Sequence, residues 1–123
     1  MEKTILVIED VPNNMKLVRD LLLVNNFNVL EAGDGEEGVK LAMEKIPDLI
    51  LTDIQLPRIN GYEVIRILKQ EATTKHIPII ALTSEAMTGD REKALAAGSD
   101  DYIAKPFNIK LLLSIMRKHL EEE

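Results

Sequence analysis

Two kinds of apolar pattern alternate along the chain. Thr4–Ile8, Asn28–Glu31, Leu49–Thr52, Ile77–Leu82 and Tyr102–Ala104 are short aliphatic or β-branched runs, and they predict strands. Longer stretches with helical spacing lie between them. Val18, Leu21, Leu22 and Asn25 share a face of a first helix, with Pro12 near its start, where proline is tolerated. Gly35, Gly38, Ala42 and Met43 fall in a second, closed by Pro47, and Val64, Ile65 and Leu68 in a third. A fourth is predicted over Ala86–Ala97 and ends at Gly98, a favourable C-terminal cap. Ile109, Leu112, Leu113, Met116 and Leu120 form the stripe of a fifth. Leu111 and Ile115 point off that stripe, either to widen the core contact or to form a partner or dimer patch.

Strands alternating with helices predict an α/β fold with a parallel sheet and right-handed crossovers, so that helices cover both faces. Continuous apolar runs such as "TILVI" and "PIIALT" suit strands buried on both sides. No linker or repeat interrupts the 123 residues, which fits one domain, 1–123, with no output domain.

In such sheets ligands bind beyond the carboxyl ends of the strands. The predicted ends carry Glu9–Asp10, Asp53, Thr83–Ser84 and Lys105–Pro106. Each has an ordinary explanation alone. Asp10 could cap the first helix, Asp53 could serve the turn before Pro57, Thr83 or Ser84 could cap the fourth helix, and Lys105 could be solvated. Their convergence on one edge favours a site. Three adjacent carboxylates repel one another, and a hard divalent cation resolves the conflict. Oxygen ligands and a phosphoryl partner suit Mg2+. A carboxylate can also act as a covalent nucleophile.

Composition narrows the alternatives. Cysteine is absent, so disulfides and thiolate metal sites are excluded. The net charge of −6 and the scattered lysines and arginines argue against a nucleic-acid surface. No apolar stretch has membrane-spanning length, and no leader is expected, so the expected location is cytoplasmic. His76 and His119 lie far apart among polar neighbours and read as surface residues. "GDGEEG" at 33–38 lacks both the dinucleotide fingerprint and a Walker lysine, so it reads as a strand–helix turn.

The motifs "ILVIED", "PDLILTDIQLPRINGYEV", "PIIALTSEA" and "GSDDYIAKPF", in that order and spacing, resemble the receiver domains of two-component response regulators, the CheY-like family. The resemblance spans essentially the whole chain. The start "EDVPNNMKLV" is similar to stand-alone, DivK-type receivers. The family implies a flavodoxin-like (βα)5 fold with strand order 2-1-3-4-5. It implies Asp53 as phosphoacceptor, and Mg2+ held by Asp10, by Glu9 through water, by Asp53 and by the backbone carbonyl of Gln55. Thr83 and Lys105 would contact the phosphoryl group, and Tyr102 would be the switch aromatic that turns inward when Thr83 moves. A cis Lys105–Pro106 bond fits the same pattern. Gln55 and Glu85 flank the site and would set the lifetime of the phosphoryl group.

Glu9 stands where many receivers have aspartate, and Ser84 where alanine is common. The implied activity is that of a switch rather than an enzyme, catalysing only its own phosphoryl transfer and slow autodephosphorylation. The implied donor is a sensor histidine kinase or a histidine phosphotransfer protein, docking at Asn14, Met15, Pro106 and Phe107. Signal would leave by protein contact, to a downstream target or along a relay, from a monomer or a weak phosphorylation-dependent dimer. A haloacid-dehalogenase-type hydrolase would need a second aspartate at position 55, which is Gln55. A flavin binder would need a phosphate loop and more aromatics than Phe27, Tyr62, Tyr102 and Phe107. A pseudo-receiver would not need the intact acceptor, acidic pair, hydroxyl and lysine.

Overall fold

The structure is a computed structural model, and it describes residues 2–83, 89–106 and 108–120. Its elements alternate strictly: β1 Thr4–Ile8, α1 Pro12–Val24, β2 Asn28–Ala32, α2 Gly35–Lys45, β3 Leu49–Asp53, α3 Gly61–Gln70, β4 Ile79–Thr83, α4 Asp90–Ala97, β5 Asp101–Ala104 and α5 Ile109–Leu120. All strand pairs are parallel, and the sheet runs β2-β1-β3-β4-β5. This is the flavodoxin-like order.

The pleat divides the core into two apolar layers. Leu6, Ile8, Ile50, Ile79 and Ala81 face one side and meet Ala42 of α2, Val64, Ile65 and Leu68 of α3, and Ala94 and Ala97 of α4. Ile5, Val7, Leu49, Leu51, Ile80, Leu82 and Ile103 face the other side and meet Met15, Val18 and Leu22 of α1 and Leu112, Leu113 and Met116 of α5. Burial on both faces is what continuous, rather than alternating, apolar strands require. Among the described residues, no helix is long and apolar enough to cross a membrane.

Local chemistry explains several helix ends. Pro12 opens α1. Asp34 caps α2 by accepting from the Glu37 amide, and Asn60 and Glu63 form a capping box on α3. Gly98 ends α4 in the left-handed region at φ 115°.

Several expectations need correction. β4 begins at Ile79, not Ile77, because Pro78 has no amide proton to enter a ladder. Asp10 does not cap α1; Val11 holds that position, and no side chain caps it. Gly89 does not sit within the first turns of α4 but just before Asp90 at φ 97°, where lack of a Cβ removes the strain. The stretch predicted to start α4 at Ala86, together with Ser84, Glu85 and Phe107, lies outside the described residues. His76 is exposed, but His119 is not a free surface residue: its Nε2 lies 3.0 Å from Asp101 Oδ2. Ile115 widens the core contact, whereas Leu111 remains 46% exposed.

Candidate functional site

The strand ends converge as the parallel sheet requires. β1 and β3 are adjacent, with Ile8 opposite Thr52, so Glu9–Asp10 and Asp53 emerge side by side. β4 lies on the other flank of β3, with Asp53 opposite Leu82, which puts Thr83 one residue further along. Thr83 is paired with Ala104 of β5, so Lys105 leaves the sheet next to it, and the Lys105 amide donates to the Thr83 carbonyl at 2.6 Å. Lys105–Pro106 is a cis peptide.

The carboxylates occupy unlike settings. Asp53 is 6% exposed and Glu9 is 3% exposed, while Asp10 is open to solvent. One ligand oxygen from each of Glu9, Asp10 and Asp53 falls within 4.8 Å of the others. Lys105 Nζ donates to Glu9 Oε1 at 3.0 Å and to Asp53 Oδ2 at 3.3 Å. Asp53 Oδ1 accepts the Gln55 amide at 3.1 Å, and Glu9 Oε2 accepts the Val11 amide at 3.1 Å. The nucleophile candidate is therefore held at both oxygens, and so is Glu9.

Electrostatics follow from this packing. Burial pushes the Glu9 carboxyl above its usual range, and the Asp53 charge adds to this, although the Lys105 and Val11 hydrogen bonds oppose it. For Lys105 burial works against the charge, yet the hydrogen bond to Glu9 and the charges of Asp53 and Glu9 lift it above the usual lysine range. Three carboxylates and one ammonium leave a net negative cluster. The donor set is all oxygen, with two members buried, which fits a hard divalent cation such as Mg2+. Asp10, Asp53 and Glu9 could hold it.

The backbone beneath the site leaves no room for a side chain at Gly61. A Cβ there would lie 2.2 Å from the Asp53 carbonyl oxygen and 2.6 Å from the Ile54 Cα, and both are backbone atoms, so any substitution must displace the chain under Asp53. The Gly61 amide donates to the Ile54 carbonyl at 2.8 Å, closing the β3–α3 loop directly under Asp53.

Tyr102 is half-buried and packs against the layer shared by α3 and α4. Gln55 is exposed beside Asp53. The expected docking rim is partly corrected. Asn14 and Pro106 line a groove of about 400 Å³ with Leu17, Val18, Leu21, Lys105 and Ile109, but Met15 is only 7% exposed and belongs to the α1–α5 core. Of the groove residues, Leu17 was missed in the sequence, and Leu21 and Ile109 were assigned to the core faces of their helices rather than to the groove. Leu17 and Leu21 lie four apart on α1, off the buried stripe, and Leu17 is 61% exposed. That spacing was a readable signal.

Comparison with known proteins agrees with this geometry. The family described as "Response regulator receiver domain" matches residues 5–117. The "Polar-differentiation response regulator DivK" proteins of Brucella ovis and Brucella abortus are each 40% identical over 120 residues, covering 98% of both chains. Among solved structures, a response regulator from Chloroflexus aurantiacus superposes with a TM-score of 0.95 at 28% identity, covering 99% of this chain and 100% of that one. The receiver domain of the sensor histidine kinase PA1611 from Pseudomonas aeruginosa, with a magnesium ion in its active-site cleft, gives 0.93 at 35% identity and the same coverage. The chemotaxis response regulator CheY4 of Vibrio cholerae gives 0.90 at 26%, covering 98% and 100%.

Proposed function

The chain belongs to the response regulator receiver domain family, whose members are phospho-signalling switches, and on that premise we propose that Asp53 is its phosphoacceptor. The observation that carries this reading is the convergence of Glu9, Asp10 and Asp53 within 4.8 Å, with Lys105 reaching two of them.

An Asp53 carboxylate oxygen attacks the phosphorus of a phosphohistidine donor. The O–P bond forms as the P–N bond breaks, and the electron pair leaves on the imidazole nitrogen, which takes up a proton. The product is an acyl phosphate. The Gln55 amide fixes one Asp53 oxygen, leaving the orientation of the other to Lys105. Lys105 then supplies positive charge to the transferred oxygens, so catalysis is largely positioning and electrostatics. Mg2+ held by Asp10, Asp53, the Gln55 carbonyl and, through water, Glu9 would neutralise charge on the phosphoryl oxygens. Magnesium in the cleft of the PA1611 receiver supports that assignment.

Thr83, buried at the end of β4, is the hydroxyl for the phosphoryl group. Its movement, with that of Lys105, shifts an existing equilibrium in which Tyr102 turns inward. Gln55 and Glu85 set how readily water reaches the acyl phosphate. The donor, a sensor histidine kinase or histidine phosphotransfer protein, docks a helix in the groove of Asn14, Leu17, Leu21, Pro106 and Ile109 beside Lys105. A downstream protein reads the altered face, with the chain acting as a monomer or a weak dimer.

Incubation with Mg2+ and acetyl phosphate, followed by intact-mass measurement, tests the reading. A single phosphoryl adduct is expected, lost in Asp53→Asn and lost with chelator. No adduct on the unsubstituted chain would overturn it.

A further inference from the structure

The loop from Ile54 to Asn60 joins β3 to α3 and carries Gln55 past the site. Its near end is held under Asp53 by Gly61. Its outer end is tied to a different element. Arg58 donates from Nη2 to Asp34 Oδ2 at 2.8 Å and from Nε to Glu36 Oε1 at 3.3 Å, and these carboxylates lie at the start of α2. Ile59 seats beside them: a Cβ added to Gly35 would stand 2.7 Å from Ile59 Cγ1 and 2.9 Å from the Ile59 carbonyl oxygen. Asp34 serves twice, since its Oδ1 also accepts the Glu37 amide at 2.8 Å to cap α2.

Arg58 holds this place in an unfavourable conformation. Its φ is 64°, in the left-handed region that residues with a Cβ seldom occupy. Glycine would relieve that strain, and an exposed ion pair adds little to global stability. Stability alone would therefore favour glycine at this position. What arginine adds is a planar fork that can hold two carboxylates of another element at once.

We propose that Arg58 is a positioning residue for the phosphoacceptor site: by clasping Asp34 and Glu36 it fixes the β3–α3 loop against α2 and so keeps Gln55 in register with Asp53. The inference rests on the reading of Asp53 and its neighbours as a Mg2+-dependent acceptor site. The Gln55 amide already reaches Asp53 Oδ1 at 3.1 Å, so a loop free to drift would release that oxygen and displace the Gln55 carbonyl together.

Arg58→Gly separates positioning from stability, because the two respond in opposite directions. Arg58→Gln removes the fork while keeping the strain, and Arg58→Lys keeps one cation. Urea unfolding, Mg2+ titration calorimetry and amide hydrogen exchange of residues 54–60 are the readouts. Arg58→Gly should be at least as stable as the unsubstituted chain, yet bind Mg2+ about tenfold more weakly, the low end for outer partners of a metal site. Its loop amides should exchange faster. Arg58→Gln should show the same loss of Mg2+ affinity, and Arg58→Lys should recover part of it. Unchanged Mg2+ affinity and exchange in both Arg58→Gly and Arg58→Gln would overturn the inference while leaving the acceptor site intact. An unsubstituted chain that binds no Mg2+ and takes no phosphoryl group would overturn the proposed function, and this inference with it.

Discussion

Lys105 Nζ lies 3.0 Å from Glu9 Oε1, joining the ends of β5 and β1, which are 96 residues apart in the chain and separated by two strands in the sheet. The same ammonium is 3.3 Å from Asp53 on β3, one of those two strands. One cation thus holds two buried carboxylates at the site, and each of them keeps a backbone amide as its second partner.

That arrangement sets a pH response in metal-free protein. Glu9 ordinarily loses its proton near 4.5, but burial raises this in the folded chain. Above 4.5 the folded state therefore binds more protons than the unfolded state. The contribution of Glu9 to stability is full below that value and is lost as pH rises through its folded pKa. Glu9→Gln should gain on the unsubstituted chain over that rise, in urea unfolding with chelator present. A difference that does not vary with pH would count against a raised Glu9.

Mg2+ should stabilise the fold by mass action. At one hundred times its dissociation constant the gain is about 2.7 kcal/mol, visible as a higher melting temperature. Asp53→Asn and Asp10→Asn should each flatten the response, since the cluster then keeps only two carboxylates. An equal Mg2+ shift in all three proteins would place the ion elsewhere.

Gly61→Ala should be costly in both stability and phosphorylation. The added methyl meets the Asp53 carbonyl oxygen at 2.2 Å, so backbone must move. Overpacking of this kind typically costs about 1–3 kcal/mol. Urea unfolding measures that cost, and the rate of adduct formation from acetyl phosphate should fall as Asp53 shifts.

Leu111 and Leu112 should behave as opposites. Leu112 is fully buried against the α1 side of the sheet, and Leu112→Ala should cost about 2–5 kcal/mol. Leu111→Ala, at an exposed position, should stay within about 0.5 kcal/mol. Comparable losses at both would mean that the outer face of α5 is covered in solution.

The alternation of apolar runs made the fold legible, because strands buried on both faces and helices buried on one leave different periods in the chain. The site was legible for a related reason. In a parallel sheet every strand delivers its last residues to the same edge, so the residues at the ends of four runs could be pooled without knowing any contact. Glu9, Asp10, Asp53, Thr83 and Lys105 needed only strand ends to be found.

The order of elements and the chemistry at their ends were readable from the chain alone, since both follow from local period and parallel pairing. Tertiary structure decided whatever depends on partners distant in the chain. Met15 turned inward with the α1–α5 layer instead of forming a rim. His119 found Asp101, 18 residues away, and Arg58 found Asp34, 24 residues away. No local pattern encodes such pairs, because charged side chains at the surface can reach many partners and only the packed backbone selects one.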